Sequence, residues 1–353
     1  MLHFWKQQAS FKPAEVRSAD LHGQTAVITG SNTGVGFHTA RQLLDLGLTR
    51  LILAVRNEDK GNAAAARLYE ACELAEGTAI EVWPLDLSSY ESVMAFAQRA
   101  QSLNRLDIVN LNAGIGPAKR VFNANTGHDE VIQVNYLSTA LLAVLLLPVA
   151  EEKRSNQPRP SCITLTLSEV ASWTKFTEQT ETSLLKSLDS KQGKVDMLDR
   201  MCVSKLLGQF LLVQLAAAVP PSVALINGAS PGAVHDSEFG REFHKTFAGA
   251  VYKKLVLKHL GNSSEMAAWA MTDAIVNHGN ETHGKFLSFQ KVAPMAPIVS
   301  SERGQQVSDR LWKETMEELS FANVEEISMS WKSDTQIAFE KCTSLFPHKQ
   351  YPI

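Results

Sequence analysis

The 353-residue sequence has few cysteines, no excess of one charge and no hydrophobic run long enough to span a membrane. Its four cysteines, at positions 72, 162, 202 and 342, have neither disulfide-framework nor metal-ligand spacing, which is typical of a reducing compartment. The 34 basic residues are balanced by 37 acidic ones, giving a net charge of -3, without long runs of one sign. These absences argue against a disulfide-rich protein, a metal site and a nucleic-acid-binding protein.

The longest apolar run, from Ala140 to Ala150, is too short to cross a bilayer and contains Pro148. We therefore predict that it forms a buried helix. The first 23 residues lack an apolar segment followed by a small-residue cleavage site, so they do not resemble a secretory signal. The expected location is the cytoplasm, with no membrane partner.

What the sequence does contain is a regular alternation of short apolar runs with longer helical patterns. The runs are uniformly apolar and rich in β-branched residues, which is typical of parallel strands covered on both faces. We predict an α/β fold, a Rossmann-type doubly wound parallel sheet of about seven strands with helices on both faces. The predicted strands are residues 25–29, 50–55, 79–83, 105–113, 161–168, 222–228 and 285–289.

No internal repeat or low-complexity linker divides the chain. A single domain over residues 1–353 is therefore predicted, with its core at about 22–290. A C-terminal extension at about 301–353 begins with a predicted helix at 301–319, and the part from residue 321 onward has no clear period.

Two further segments interrupt the regular alternation. The polar stretch at about 172–194 is expected to form an inserted flap, and residues 233–260 are expected to form a lid. The aromatic residues of this lid indicate a bulky apolar small molecule as the substrate, although they could equally pack the lid onto the body. They are Phe239, Phe243, Phe247 and Tyr252.

The stretch TGSNTGVG, residues 29–36, follows the first predicted strand and opens the first helix. Its glycines, Gly30, Gly34 and Gly36, allow a tight turn and a close approach to a pyrophosphate at the helix N-terminus. A glycine triplet at the first strand-to-helix junction indicates a dinucleotide site rather than a plain turn.

Arg56 comes at the end of the second strand, where an NAD site typically has an acidic residue for the ribose hydroxyls. A guanidinium at this point can form a charge-assisted pair with a 2′-phosphate. The sequence therefore favours NADP(H) as the cofactor, with a solvated surface arginine as the alternative.

With these motifs, the chain resembles the short-chain dehydrogenase/reductase family over about residues 22–290. Its overall sequence pattern is similar to that of reductases of fungal secondary metabolism. The resemblance implies that Asp86 handles the adenine, Asn135 anchors a water relay, Ser168 polarises the substrate carbonyl and Lys205 holds the nicotinamide ribose. The cofactor residues predicted from the loop and the resemblance together are Gly30, Ser31, Asn32, Gly34, Val35, Gly36, Arg56, Asp86, Leu87, Asn112, Ala113, Gly114, Lys205, Pro231, Gly232 and Val234.

The sequence departs from the family at the central acid/base, a tyrosine four residues before the lysine, where this chain has Met201. Residues 201 and 205 share one helix face, so the lysine could lower the pKa of a phenol at 201. A thioether has no proton to give, and general acid-base catalysis is worth about 100- to 10,000-fold. Ordinary ketone reduction should therefore be slow.

Several neighbouring residues are candidates to replace the missing acid. His235 and Asp236 in the lid are the best placed, although a lid histidine is more often a surface residue or a substrate contact. Cys202 is expected to pack into the core, and Tyr136 to point away from Asn135. The remaining candidates are Glu169, expected to be a solvated carboxylate, and Ser168, which is a poor acid.

Two functions follow from this site. The first is NADPH-dependent hydride transfer that needs no phenol, as in the reduction of an iminium or of a conjugated enone. The second is a non-redox reaction on the same scaffold, such as a cyclisation, a pericyclic step, an isomerisation or a dehydration, driven by positioning in the pocket. We favour the first, and a catalytically silent binding protein is a minor third alternative. A homodimer through the helices that carry Asn135 and Lys205 is possible by resemblance.

Overall fold

The computed structural model describes residues 2–240, Glu242, Gly249 and 253–331. Within them lies an eight-stranded sheet of order β3-β2-β1-β4-β5-β6-β7-β8, parallel except for the β7–β8 pair. This confirms the predicted doubly wound Rossmann-type fold. The strands are β1 Thr25–Thr29, β2 Arg50–Val55, β3 Ala79–Pro84, β4 Ile108–Leu111, β5 Ser161–Thr166, β6 Ala224–Ala229, β7 Phe286–Ser288 and β8 Lys291–Ala293.

Helices connect the strands and cover both faces of the sheet. The helices of the described residues are α1 Leu2–Ser10, α2 Gly34–Asp45, α3 Glu58–Ala71, α4 Tyr90–Ala100, α5 Glu130–Ile132, α6 Ser138–Glu152, α7 Leu184–Leu188, α8 Met197–Ala218, α9 Lys258–Leu260, α10 Ser264–Val276, α11 Glu302–Glu318 and α12 Val324–Met329.

Burial of alternate β1 residues on opposite faces explains why the strand is uniformly apolar. Val27 packs into the larger core cluster, together with residues of α4, α6 and α8. Ala26 and Ile28 pack into the second cluster, with residues of α2 and α3. Since both faces are covered, every position of the strand is buried, and the run cannot alternate with polar residues.

Polar side chains at the helix N-termini fix where several helices begin. The Asn57 side chain accepts a hydrogen bond from Lys60 N at 2.8 Å at the start of α3, and Asp196 accepts from Leu198 N at 2.9 Å at the start of α8. Each cap satisfies a backbone N–H that the helix itself leaves without a partner. The cap of α8 fixes the helix that carries Met201 and Lys205.

Two predictions about strands need correction. The predicted strand at 105–113 is shorter, Ile108–Leu111, because its flanks form loops. The sheet also has one strand more than the seven predicted, since β8 pairs antiparallel with β7. Its sequence, KVA, is short and largely exposed, so it lacks the apolar run by which the other strands were recognised.

The segment predicted as a flap, 172–194, is packed against the body. It contains α7, whose Leu184 and Leu185 are buried in the main core. Glu314 of α11 accepts hydrogen bonds from the backbone N–H of these two leucines, both at 2.8 Å. The C-terminal helix predicted at 301–319 is observed as α11, and this helix therefore holds the segment in place.

The predicted lid is described only in part. Phe239 is described, whereas Phe243, Phe247 and Tyr252 lie outside the described residues, as does the tail from residue 332 onward. The described C-terminal helices pack on the body, α12 against α6 and α11 against α8. The homodimer remains a prediction. A dimer formed through α6 and α8 would have to use the surface of these helices that α11 and α12 leave open.

Within the described residues, two helical stretches are long and apolar enough to cross a membrane by composition, Glu130–Glu152 and Met197–Ala218. Both are mostly buried inside the fold. Helices that are apolar on all sides are expected in the core of a doubly wound protein, where neighbours surround them. The run from Ala140 to Ala150 thus forms the predicted buried helix, α6.

Candidate active site

A cleft for small molecules is expected where the strand order reverses, between β1 and β4, at the carboxyl ends of the strands. The glycine loop follows β1, and the segment Asn112–Gly114 follows β4. Ser168 follows β5, and the Pro231–Val234 turn follows β6. Because parallel strands place their carboxyl ends at one edge, most of the predicted site residues lie along one edge of the sheet.

The glycine loop has the backbone that its sequence predicts. Gly30 and Gly34 have positive φ angles of 64° and 61°, which glycine adopts without strain. A Cβ atom on Gly36 would lie 2.5 Å from Asn112 Nδ2 and 2.9 Å from the Gly30 oxygen. The loop is therefore drawn tightly over Asn112, with room only for hydrogen at position 36.

Asn112 holds this loop to β4. Its Nδ2 donates to the Thr29 oxygen at 2.9 Å, and the backbone N–H groups of Asn112 and Ala113 both donate to Thr29 Oγ1 at 2.9 Å. Asn112 was predicted to line the cofactor, but its side chain is turned onto the loop. The side chain therefore fixes the shape of the glycine loop.

The other predicted loop residues differ in what they offer to a ligand. Ser31 is fully buried and donates to the Ile28 oxygen at 2.8 Å, so its hydroxyl supports the turn. Val35 packs partly against the cluster around Met271, and Asn32 is half-buried. Arg56 is exposed just beyond β2.

Asp86, predicted to contact the adenine, and Leu87, predicted as a cofactor residue, follow β3. Asp86 Oδ1 accepts from Ser88 N at 2.9 Å and from Ser88 Oγ at 2.7 Å. Leu87 is buried in the main core, so its side chain supports the loop from below. Asp86 remains partly exposed, with its second carboxylate oxygen able to accept a further hydrogen bond.

Asn135 lies in a π-helical turn, Gln133–Leu137, that precedes α6. Its Oδ1 accepts from Ile115 N at 2.8 Å, and its Nδ2 donates to the Ile115 oxygen at 3.0 Å and to Ser204 Oγ at 3.1 Å. The amide therefore joins the loop after β4 to α8. Ser204 Oγ in turn donates to the Met201 oxygen at 2.8 Å.

Lys205 extends from α8 to the end of β5. Its Nζ donates to the Thr166 oxygen at 2.8 Å, and burial lowers the pKa of the ammonium to about 8. Phe239 of the predicted lid lies over this end of the cleft, with its ring centroid 5.5 Å from Nζ. A cavity of about 10 Å³, lined by Asn135, Thr166, Ser204 and Lys205 among others, is just large enough for one water molecule.

Ser168 and Glu169 follow β5. Ser168 Oγ accepts from Val170 N at 3.3 Å, which leaves its own proton available to a ligand. Glu169 was expected to be a solvated carboxylate, which is wrong. It accepts from Ser230 Oγ at 2.6 Å and also from Ser288 Oγ, and thereby ties the ends of β5, β6 and β7 together.

Met201 is half-buried one turn before Lys205, and most of the candidate replacements for a phenol are committed elsewhere. Burial raises the pKa of the Cys202 thiol to about 12, as expected for a cysteine that packs into the core. Tyr136 is buried, its hydroxyl paired with Thr315 Oγ1 at 2.7 Å, as expected for a side chain pointing away from Asn135. Asp236 caps α10, accepting from Ser264 N at 2.8 Å.

His235 is held through its backbone, whose N–H donates to the Asn262 oxygen at 3.0 Å. The preceding residue, Val234, bridges to Asn262 in a parallel arrangement, and Gly232 has a positive φ of 72°. The turn after β6 is thus fixed on one side by the segment that leads into α10.

On its other side this turn meets Gln8 of α1, which the sequence did not mark as functional. Gln8 Oε1 accepts from Ala233 N at 3.0 Å, and only 2% of the residue is exposed. Phe4 of the same helix packs edge-on against Trp173, with 5.4 Å between the ring centroids, and against Trp5, with 5.2 Å. The N-terminal helix therefore packs against the turn that follows β6.

The described residues contain no group of three or more His, Cys, Asp or Glu side chains arranged to hold a metal ion. The polar groups at the carboxyl ends of the strands are instead those of the glycine loop, a lysine, an arginine and a serine. This set suits a dinucleotide, which presents phosphate and hydroxyl groups.

Comparison with known proteins agrees with this arrangement. The sequence profile for short chain dehydrogenase matches residues 24–157. The short-chain dehydrogenase fogG of Aspergillus ruber is 42% identical over 89% of this chain and 90% of its own length. The short chain dehydrogenase/reductase mfmJ of Annulohypoxylon moriforme is 38% identical over 94% and 95%.

Among solved structures, a gluconate 5-dehydrogenase from Burkholderia cenocepacia in complex with NADP and tartrate has a TM-score of 0.56. It is 19% identical and covers 76% of this chain and 94% of its own, which is evidence for the fold alone. Together with the identity to fogG over nearly the full length, the fold and the arrangement of the cleft lead to one conclusion: the chain is a member of the short-chain dehydrogenase/reductase family.

Proposed function

We propose that the protein is an NADPH-dependent oxidoreductase that reduces a bulky, apolar biosynthetic intermediate without a phenolic acid. The observation that carries the proposal is the combination found on α8. Lys205 is directed to the end of β5, two strands from the β1 end that the glycine loop follows, while Met201 takes the position one turn earlier. The cleft thus keeps groups for a nucleotide and lacks the usual proton donor.

Arg56 supports NADPH over NADH. It is exposed just beyond β2, and its planar guanidinium matches the geometry of a phosphate group. An acidic residue at this point would repel a 2′-phosphate and accept from ribose hydroxyls instead. The NADP bound to the gluconate 5-dehydrogenase of similar fold is consistent with this choice.

A bound NADPH would supply a hydride to an electrophilic carbon of the substrate. An iminium carbon that accepts a hydride becomes a neutral amine, so no further proton is needed. In an enone, the hydride adds to the β-carbon and the α-carbon then takes a proton from water. Ser168 can donate to a substrate oxygen in the second case, and Lys205 can donate to ribose hydroxyls in both.

Met201 also supports a second candidate function, a non-redox reaction such as a cyclisation or an isomerisation. The thioether is apolar and flexible, so it can shape a pocket around a folded substrate conformer. Asn135 and Ser204 would then stiffen the pocket, as their mutual hydrogen bond at 3.1 Å does already. In this case turnover would need no oxidation of the nucleotide.

Calorimetric titration with NADPH and NADH, followed by assays of NADPH oxidation, tests the proposal. The substrate panel contains 3,4-dihydroisoquinolinium, 2-cyclohexenone and a simple aromatic ketone. We expect tight NADPH binding, weak NADH binding and oxidation with the iminium or the enone in preference to the ketone. Failure to bind NADPH contradicts the proposal and directs attention to the cofactor-free reactions.

A further inference from the structure

The N-terminal helix α1 places one buried polar side chain against the turn that follows β6. Gln8 is 2% exposed, and its Oε1 accepts from Ala233 N at 3.0 Å. A Cβ atom on Gly232 would lie 2.6 Å from this Oε1 and 3.7 Å from Nε2. The Gln8 amide is therefore pressed against the backbone of the Gly232 turn.

The other half of this amide has no partner among the described residues. Gln8 Nε2 is buried and makes no hydrogen bond there. The two ends of the amide are not interchangeable, because only an oxygen can accept from Ala233 N–H. Two N–H donors thus remain buried and unpaired, which is unfavourable enough that such groups usually mark a ligand, an ion or a water molecule.

The position of Gln8 indicates which ligand would meet these donors. The Gly232 turn is joined to the end of β5 through the hydrogen bond from Ser230 to Glu169, at 2.6 Å. Ser168, next to Glu169, carries the proton donor predicted to face the substrate. Gln8 therefore contacts the turn on the β5–β6 side of the sheet edge, where Ser168 follows β5, and lies on the side away from Arg56 beyond β2.

We propose that Gln8 is a ligand-positioning residue whose Nε2 donates to a carbonyl-type oxygen at this end of the cleft. The oxygen belongs either to the carboxamide of the nicotinamide or to the substrate. Oε1 fixes the turn through Ala233, and Nε2 then has a fixed direction in which to donate. The assignment rests on the proposed function, since it takes a nicotinamide ligand to be bound in the cleft.

A purely structural role does not account for the residue type. Phe4 on the same helix, one turn before Gln8, fills its place with apolar contacts to Trp173 and Phe289. The hydrogen bond from Ala233 N–H explains the acceptor Oε1, but it leaves the two buried donors on Nε2 without a role. The amide is explained if its second end acquires a partner when the ligand binds.

The test compares Gln8→Glu, which keeps an acceptor for Ala233 N–H and loses the donor, with Gln8→Met, which loses both. Gln7→Glu is the matched control, because Gln7 is exposed on the same helix and receives the same charge. Binding of NADPH and of 2′-phospho-ADP-ribose, which lacks the nicotinamide, is measured by calorimetry at about pH 8, where a glutamate is normally ionised. Binding of 1-acetonaphthone to the NADP⁺-loaded protein is measured in parallel.

If the partner is the nicotinamide, both Gln8 variants bind NADPH about tenfold more weakly and bind 2′-phospho-ADP-ribose as the wild type does. If the partner is the substrate, NADPH binding is unchanged and the ketone binds about tenfold more weakly. Gln7→Glu changes none of these values. A loss in Gln8→Met alone, or no change with either ligand, overturns the assignment.

These outcomes are separable from a failure of the proposed function. Wild-type protein that binds no NADPH contradicts the proposed function itself. Wild-type protein that binds NADPH, with a Gln8→Glu variant that matches it towards all three probes, contradicts the role of Gln8 only. Melting temperatures of the variants confirm that each is folded at the temperature of the titration.

Discussion

Nζ of Lys205 donates to the backbone oxygen of Thr166 at 2.8 Å. Burial of this ammonium disfavours its charged form and lowers its pKa to about 8, so the side chain is part neutral under mildly alkaline conditions. The lysine can therefore change its protonation state near pH 8 when its surroundings change, well below the pH at which a lysine normally titrates.

We expect NADPH binding to take up protons at about pH 8. Ligand phosphates and hydroxyl acceptors favour the ammonium, so they raise the pKa of Lys205 and recruit about half a proton per site. Calorimetry in buffers of different ionisation enthalpy measures this number. A Lys205→Met variant should show no such uptake, and equal uptake in both proteins would contradict the assignment.

Gly36→Ala should abolish nucleotide binding. The added Cβ would lie 2.5 Å from Asn112 Nδ2 and 2.9 Å from the Gly30 oxygen, so the loop must shift. Gly77→Ala serves as a control for backbone strain away from the loop, because Gly77 has a φ of 82° but nothing within 4 Å of an added Cβ. Calorimetry should show loss of NADPH affinity in the first variant and normal affinity in the second.

Arg56→Ala should weaken NADPH binding about 10- to 100-fold and leave NADH binding within about twofold, because only NADPH carries the 2′-phosphate. The measurement is a pair of titrations on each protein. Lys60→Ala is the control, since Lys60 is also exposed and lies four residues away. Equal losses of affinity for both nucleotides in Arg56→Ala would show that the arginine does not bind the 2′-phosphate.

Met201→Tyr should introduce ketone reduction. A phenol placed one helical turn before Lys205 could be acidified by the ammonium, and general acid catalysis is worth about 100- to 10,000-fold. NADPH oxidation with an aromatic ketone measures the gain. Met201→Phe supplies the ring without the hydroxyl, and a gain of the same size in that variant would rule out proton donation.

Stability should depend on the protonation of His128. Burial disfavours its charge, but hydrogen bonds to Asp189 at 2.6 Å and Glu318 at 2.9 Å outweigh this and raise its pKa to about 9. The stabilisation is therefore complete below the unfolded pKa of about 6.5 and is lost as the pH rises through about 9.

A His128→Asn variant should be about 2 kcal/mol less stable than the wild type at about pH 6, an amount discounted because the partner Glu318 is partly exposed. The difference should nearly vanish above about pH 9.5, where both proteins lack the charge. Urea denaturation at the two pH values measures it. A difference that stays constant with pH would mean that the imidazole acts by packing alone.

The parallel strands could be predicted from the sequence because each is an apolar run buried on both faces. β8 could not, since its three residues are largely exposed and are recognisable only by their pairing with β7. The glycine loop could be predicted because the positive φ angles at Gly30 and Gly34 favour glycine over other residues.

Side-chain direction was harder to predict than position. The motif located Asn112 correctly, but only the structure shows its amide turned onto Thr29. Glu169 looked solvated because its two serine partners, Ser230 and Ser288, come 61 and 119 residues later in the chain. Nothing local distinguishes Gln8 from Gln7, since the difference between them is made by Ala233.

The contacts of the N-terminal segment also bear on when the cleft can be completed. The partner of Gln8 is 225 residues away along the chain, and Ala14 pairs with Gln290 across 276 residues. Loop closure over such distances is entropically costly and comes late in folding. On a ribosome, α1 leaves the exit tunnel long before β6 and β7 exist, so this helix can dock only after nearly the whole core has been synthesised.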